Sequence, residues 1–489
     1  MSGLDDVRAE RLKKLEVLKS KGIDAYPAKS SRTHSIADVL KSFDSLQADS
    51  TKVTIAGRVM VIRGQGAILF APLFDGTAKM QIVLKEDALD AEAFALFKEV
   101  VDGGDFIEAT GTLFTTDRGE RSLLVSTWRM LTKSLLPLPD KYHGLQDEEE
   151  RFRKRYLDIL TKDELQAMFK RKEKFWDVTR AFMKARGFTE VETPTLELTT
   201  GGAEARPFLT KHNDFDIDVY LRISVGELWQ KRLLAAGFDK IFEIGRVYRN
   251  EGTSPNHLQE FTNMEFYEAY ANYEDGMRLV EELYCTIAKE VYGKTEFTRG
   301  EHTFDLAHDW ARIDYAEEIK RQTGIDLIDA RVDTIKAKLT ELKVTYDGDN
   351  KERLIDTLWK YCRKSISGPA FVINHPLLVS PLAKRVDASN PDGLNKTQRF
   401  QPLIAGTEVG NGYTELNDPL DQRARFELQQ QLIERGDEEA MMPDHEFVEM
   451  LEHGMPPACG FGFGERLFAI LEDKPIRETQ LFPLMRPKV

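Results

Sequence analysis

Between Val53 and Met130 the apolar residues come in short runs, VTIAGRVMVI, AILFAPLF, KMQIVL, DFIEATGTLF and SLLVSTWRML, separated by the turn-forming RGQG, DGTA, DGGD and TDRGE. This pattern predicts five strands. One stretch of helical spacing, DALDAEAFALFKEVV, falls between the third and fourth. Five strands with one inserted helix suit a small closed barrel of the OB type. Ahead of them, Leu4, Leu12, Leu15 and Leu18 recur among charges at helical spacing. They predict an amphipathic helix that ends before Gly22 and Pro27 and either packs on its own domain or touches nucleic acid.

The texture then changes. LLPLPDK, residues 135–141, reads as a linker. Residues 150–187 are helix-rich, 189–270 hold several strong strands, and 276–365 read mainly as helices with loops. Residues 370–489 return to strands and finish with a helix and a proline-containing tail. The expected class is α+β: an N-terminal helix and OB-type β-barrel in 1–140, then a larger domain in 141–489 with a mainly helical insertion around 300–370.

Composition removes several classes. The longest apolar run, Ala67–Phe74, is eight residues long and contains Pro72; a membrane-spanning helix needs roughly twenty, so no membrane partner is expected. The start, MSGLDDVRAERLKK, carries charge where a secretory signal would have its apolar core. Cys285, Cys362 and Cys459 are far apart and form no CxxC, which favours a reducing cytoplasm over a disulfide framework or a cysteine zinc site. Net charge is 68 − 82 = −14, but residues 1–140 hold 19 basic and 20 acidic side chains, against 49 and 62 in the remainder. The near-neutral N-terminal part is therefore the half that permits a nucleic-acid ligand.

Three stretches carry chemistry. In Lys240–Tyr270, strand-like runs flank a polar loop with Gly252 and Pro255, which predicts a long-looped antiparallel hairpin. Alternation puts Phe261, Asn263, Glu265, Tyr267 and Ala269 on one face. Arg249, His257, an aromatic ring and a glutamate in this arrangement can surround a nucleotide, and equally can form a structural ion-pair network. In Gly406–Pro419, Asn411, Tyr413 and Glu415 share a face; Glu408 is seven residues from Glu415, so a bulge near Gly410 and Gly412 is required if both carboxylates act together. Paired carboxylates would hold Mg²⁺; an acidic edge strand facing water is the plain alternative. In Gly460–Glu472, glycines precede a helical pattern, and the third glycine position of a dinucleotide fingerprint is Glu465. That segment can deliver Arg466 into a site or simply make a tight strand–helix turn. His445–Glu449 is HEFVE, not a zinc-protease HExxH.

Together these stretches resemble motifs 2 and 3, with the intervening acidic strand, of class II aminoacyl-tRNA synthetases, and Phe182–Leu196 with Pro194 resembles motif 1. RYLDIL, GGAEARPF, YRNEG, MEFYEAY, NGYTELNDP, MPPACGFGFG and the earlier LPDKYHGL resemble the bacterial lysyl-tRNA synthetases over about residues 5–486. The resemblance implies activation of L-lysine with ATP and transfer to the 3′ end of tRNA(Lys), in a homodimer formed through the motif 1 region. By similarity, Arg249 meets the α-phosphate and the lysine carboxylate, Phe261 and Arg466 sandwich adenine, Glu251 reads its amino group, and His257 sits near the terminal phosphates. Glu408 and Glu415 would hold Mg²⁺. Glu227 and the Gly201–Gly202 turn are assigned to the α-amino group. Glu415 and Tyr267, with Glu265 nearby, are assigned to the side-chain ammonium, and Asn411 and Tyr413 complete the lysine pocket. In the barrel, Phe70 is the stacking residue for the anticodon, with Arg63 and Gln81 beside it; the apolar run around Phe70 taken alone places it in the core.

The chain departs from the family in three places: it has one residue fewer between the motif 3 glycines and Arg466, one more near Ser224–Gly226, and Pro72 and Ala78 differ from the barrel pattern. The alternatives are an aspartyl- or asparaginyl-tRNA synthetase, the lysine ligase that modifies elongation factor P, and a non-catalytic RNA-binding relative. An aspartate pocket would need basic groups where Glu227, Glu265 and Glu415 stand, the elongation-factor ligase lacks the barrel, and degenerate relatives lose motif residues that are present here.

Overall fold

Five strands close a barrel in the order β1-β2-β3-β5-β4: β1 Val53–Val59, β2 Ile68–Phe74, β3 Lys79–Lys85, β4 Phe106–Thr115 and β5 Arg121–Thr132. β3 and β5 pair parallel and the other neighbours antiparallel. The expected helix, Ala91–Val100, lies between β3 and β4, is capped by Asp90 and buries Phe94, Phe97 and Val100. The computed structural model describes residues 2–488 apart from 65, 140–144, 204, 253, 255–256, 308, 347, 387–394 and 435–439. It separates into two units, Met1–Arg151 and Phe152–Val489. Most of LPDKYHGL, the end of LLPLPDK, and Pro255 lie outside the described residues.

The N-terminal helix, Ser2–Ser20, packs on its own domain. Leu15 and Leu18 are buried, while Leu4 is half exposed. Lys14 Nζ lies 2.6 Å from Asp102 Oδ1, and Arg11 donates to the Gly103 carbonyl at 2.9 Å. Behind them the buried Lys133 bridges Asp102 at 2.6 Å and Asp105 at 2.8 Å. Two short helices, Ile36–Lys41 and Phe43–Ala48, also appear. At six residues each they are too brief to show helical periodicity.

The second unit holds three sheets. Its strands are β6 Thr189–Glu190, β7 Leu196–Glu197, β8 Phe208–His212, β9 Ile217–Leu221, β10 Lys240–Tyr248, β11 Glu260–Ala269, β12 Glu296–Arg299, β13 His302–Asp305, β14 Ala311–Asp314, β15 Ala370–Ile373, β16 Arg399–Ile404, β17 Thr407–Glu408, β18 Asn411–Thr414 and β19 Ala458–Gly464. The main sheet runs β14-β15-β16-β18-β19-β11-β10-β6, with β17 beside β16. It is antiparallel except for one parallel pair at each end, β14/β15 and β10/β6. β7-β9-β8 and the hairpin β12/β13 form the other two sheets. Among the described residues no helix is long and apolar enough to cross a membrane.

One face of the main sheet is core. Phe461 and Phe463 of β19, Met264 and Phe266 of β11 and Phe242 of β10 pack under the helices Asp163–Ala185 and Tyr273–Ile287 through Phe175, Phe182, Leu283 and Tyr284. Since side chains alternate along a strand, the residues between these face the other way. Three helices, Tyr315–Thr323, Val332–Glu341 and Lys351–Cys362, lie between β14 and β15 and share a core of Ile319, Leu339, Leu354, Leu358 and Trp359. The strands β12 to β14, four residues each, interrupt the stretch 276–365 that the sequence reads as helices with loops.

Candidate active site

The polar face of β11 and the glycines of β19 form the floor of a cavity of about 300 Å³. β10 and β11 pair without a break from Lys240↔Glu268 to Tyr248↔Glu260, the long hairpin the pattern predicts. Phe261, Asn263, Glu265 and Tyr267 line the cavity in alternation. β19 lies beside them with Gly460, Gly462 and Gly464 on the same face. A Cβ on Gly462 would sit 2.8 Å from the Glu265 side chain, so the floor exists because these side chains are absent.

Three buried carboxylates gather at one end. Glu265 accepts hydrogen bonds from the Val225 backbone at 2.8 Å, from Asn263 at 3.1 Å and from the Tyr267 hydroxyl at 3.1 Å. Burial, with Glu227 nearby, still raises its pKa to about 7. Glu415 follows β18, anchored by its backbone N–H on the Ala458 carbonyl at 2.8 Å. Burial pushes its carboxyl up to about 8, against the pull of Lys231. Lys231 Nζ lies 2.6 Å from Glu415 Oε2 but off hydrogen-bond direction, so neither Glu415 oxygen accepts a well-directed hydrogen bond from the described residues. Glu227 opens the helix Glu227–Ala235 and accepts from Lys231 at 2.7 Å and from the Tyr413 hydroxyl.

Gly226 caps the helix in the left-handed region, φ 64°, and a Cβ there would lie 1.9 Å from Thr193 Oγ1. Gly202, also at positive φ, lies against Glu227: a Cβ would be 2.7 Å from its Oε2. Gly201 is off the cavity wall; its carbonyl accepts from Ser224 Oγ at 2.9 Å.

The other end is cationic and aromatic. Arg249 follows β10, donates to the Ile223 carbonyl at 3.2 Å and has its guanidinium 5.3 Å from the Phe261 ring centre. Glu251 and His257 stand on the rim, His257 with its Nδ1 2.7 Å from Ser254 Oγ. Arg466 begins the helix Arg466–Leu471 and donates to the Glu408 carbonyl at 3.3 Å. The shortened motif 3 therefore still delivers this arginine to the cavity. Glu465 turns inward and is held by the Thr262 N–H at 3.1 Å and by Lys172 at 2.9 Å.

The pairing of Glu408 with Glu415 on one Mg²⁺ does not fit. The sheet breaks at Val409–Gly410, where a Cβ on Gly410 would lie 2.3 Å from the Phe461 ring, and both carboxylates do line the cavity. They stand, however, before and after β18. Four strand positions from Asn411 to Glu415 span about 13 Å, while one ion needs both oxygens at about 2.1 Å. Glu408 Oε1 accepts from the Trp359 indole at 2.6 Å and its Oε2 is 3.8 Å from Arg363. Glu408 lies opposite Leu403, and the cavity-lining residue two positions from Leu403 is the neutral Gln401. Among the described residues no cluster of three or more metal-ligating side chains exists.

The chain matches tRNA synthetases class II (D, K and N) over residues 147–486 and the OB-fold nucleic acid binding domain over residues 53–131. It belongs to the class II tRNA synthetases (D, K and N). Similar proteins include the lysine–tRNA ligases of Roseiflexus sp. (strain RS-1), 44% identical over 99% of both chains, and of Halalkalibacterium halodurans, 43% identical over 99% of this chain and 98% of that one. That of Thermotoga maritima is 41% identical over 99% of this chain and 97% of its own.

In this class II synthetase the barrel presents an outer face that the apolar run around Phe70 conceals. β2 alternates, with Leu69, Ala71 and Leu73 buried and Phe70, Pro72 and Phe74 only partly buried. Phe70 therefore lies outside the barrel core. Its backbone bridges to the exposed Arg63, and Gln81 pairs with Pro72 one strand over while donating to Ser122 Oγ at 2.9 Å. Arg399, on the cavity wall, and Lys231, behind it, escaped sequence reasoning. Arg399 donates to Asn411 Oδ1 at 2.7 Å and leaves the amide nitrogen of Asn411 toward the cavity. Lys231 stands one turn after Glu227, a spacing that reads as an ordinary helix pair.

Proposed function

We infer that this chain is a lysine–tRNA ligase, which joins L-lysine to ATP as lysyl-adenylate and pyrophosphate and then transfers lysine to the 3′ end of tRNA(Lys). The carrying observation is the gathering of Glu227, Glu265 and Glu415 at one end of a single cavity, with Arg249 and Arg466 at the other. Lysine brings two ammonium groups and one carboxylate. A buried charge without a partner costs several kcal/mol, so an acidic pocket favours lysine over neutral isosteres. An aspartate side chain placed there would face carboxylates.

No protein nucleophile is required. The lysine carboxylate attacks the α-phosphorus and pyrophosphate leaves, while Arg249 holds carboxylate and phosphate in line and Asn411, held by Arg399, steadies the carboxylate. Phe261 stacks on adenine with Arg466 over the other face, Glu251 reads the amino group and His257 meets the outer phosphates. Catalysis is positioning plus charge stabilisation. The α-amino group sits between Glu227 and Gly202, and the side-chain ammonium at Glu415 and Tyr267, beside Glu265. At the phosphate end Glu408 is the carboxylate that would meet magnesium carried by ATP. The ion would there supply neutralisation of phosphate charge.

The barrel takes the anticodon, with Phe70 as stacking platform and Arg63 and Gln81 as base readers. We also propose a cytoplasmic homodimer through the motif 1 region, supported by Leu196, Leu198 and Leu209, which are half or more exposed in and beside β7-β9-β8. Pyrophosphate exchange with each of the twenty amino acids tests the assignment. Lysine alone should support it; exchange with aspartate or asparagine, or none at all, would replace it.

A further inference from the structure

Lys231 is 1% exposed, yet its side chain ends in a charge. Nζ lies 2.7 Å from Glu227 Oε1 and 2.6 Å from Glu415 Oε2, with the rings of Tyr413, Tyr267 and Phe447 at 5.3 to 5.9 Å. The cavity wall includes both carboxylates but not Lys231, so the ammonium stands behind them. Each carboxylate has its second oxygen at a cavity glycine: Glu227 Oε2 would be 2.7 Å from a Cβ on Gly202, and Glu415 Oε1 2.2 Å from one on Gly460.

A helix pair at this spacing is ordinarily a surface feature of small value. Buried, it loses solvation on both partners, and an apolar packing of similar volume would often be as stable or more so. Stability alone therefore gives little reason to keep a lysine here. Its effect on the cavity does. Once ionised, as against bound ammonium groups, the three carboxylates Glu227, Glu265 and Glu415 carry three negative charges and Lys231 one positive, which leaves two. Free lysine brings two ammonium groups, and its carboxylate is met separately at Arg249.

We propose that Lys231 is a positioning and specificity-determining residue: its ammonium favours the ionised form of Glu415, turns one oxygen of Glu227 and one of Glu415 toward the cavity, and sets the charge of the ligand-bound pocket to match an amino acid with two ammonium groups. The inference rests on reading this cavity as the lysine site. The ionisable groups packed around the pair are Glu227, Glu265, Tyr267, Tyr413, Glu415 and Cys459. Removing the ammonium takes away the charge that pulls the Glu415 carboxyl down, so Glu415 holds its proton to higher pH.

The test is lysine-dependent pyrophosphate exchange by the full-length protein, wild type against Lys231→Met and Lys231→Gln, across the range from neutral to mildly alkaline pH. Glutamine keeps a hydrogen-bond donor toward the carboxylates and removes only the charge, so it is read alone if the Met variant fails to fold. Both variants should raise the KM for lysine about tenfold or more at neutral pH and leave the KM for ATP within about twofold. The pH at which the lysine KM falls should move up by about one unit. Unchanged lysine KM and pH profile in Lys231→Gln would overturn the proposal, as would equal losses for lysine and ATP, or failure of both variants to fold. Absence of lysine-dependent exchange in the wild type would instead sink the reading of the cavity.

Discussion

A Cβ on Gly460 would lie 2.2 Å from Glu415 Oε1 and 2.4 Å from the Tyr267 ring. The missing side chain of Gly460 is thus the space in front of the Glu415 carboxylate. Gly460→Ala puts a methyl group where the proposed function seats the side-chain ammonium of lysine. Overpacking of this kind costs about 1–3 kcal/mol, so lysine affinity should fall roughly 5- to 150-fold while ATP affinity holds. Isothermal titration with each ligand separates the two, and equal losses would show a general collapse.

Lysine binding should follow pH with a definite sign. Burial raises Glu415 to about 8 and Glu265 to about 7. Below these values the carboxyls are neutral and attract an ammonium poorly, so the KM for lysine should fall as pH rises through 7 to 8. Stability without ligand moves oppositely. In the unfolded chain both groups ionise near the ordinary glutamate value of 4.5, so between there and about 8 the folded protein holds more protons. Its melting temperature should therefore drop across that window as pH rises. Exchange kinetics and scanning calorimetry read the two trends, and a lysine KM that is flat across neutrality would contradict the first.

Arg249→Ala should reduce lysine-dependent exchange by about a hundredfold or more, the usual cost of removing a donor aimed at developing charge. The guanidinium makes one hydrogen bond to the frame, to Ile223, so the melting temperature should change little. Near-normal exchange would take the phosphate role away from it.

Phe70→Ala tests the barrel in the intact protein. Stacking of a base on an aromatic ring contributes about 1–3 kcal/mol, so the KM for tRNA should rise roughly 5- to 150-fold while pyrophosphate exchange stays as in the wild type. Unchanged charging would place the anticodon elsewhere.

The dimer is open to a direct measurement. Leu198 and Leu209 are about 60% exposed, at 64% and 59%. Leu198→Glu combined with Leu209→Glu should convert a sedimenting dimer into a monomer. A wild type that sediments as a monomer would remove the proposal outright.

The barrel is legible because its strands alternate and its turns are marked, and the hairpin of Arg249 and Glu265 is legible because period two survives through nine paired positions. Where a second influence intervenes, pattern fails. Phe70 sits in an apolar run, but only its neighbours Leu69 and Ala71 enter the core. Glu408 and Glu415 look like a pair because they are close in sequence, whereas β18 holds them apart. Lys231 has the spacing of a surface ion pair and joins the acidic end of the site only because the chain after β18 brings Glu415 against its helix. Strands of four residues, such as β12 and β13, are too short to declare themselves within a helical region.

The bond from the Trp359 indole to Glu408 has a spectroscopic consequence. It places a fluorophore from the helix Lys351–Cys362, 1% exposed, directly on the carboxylate at the phosphate end. A nucleotide that alters the field at Glu408 also alters the field around that ring. If the proposed triphosphate seat lies at Glu408, filling it should change the emission of Trp359, an optical gauge carried on the helical layer rather than on the sheet.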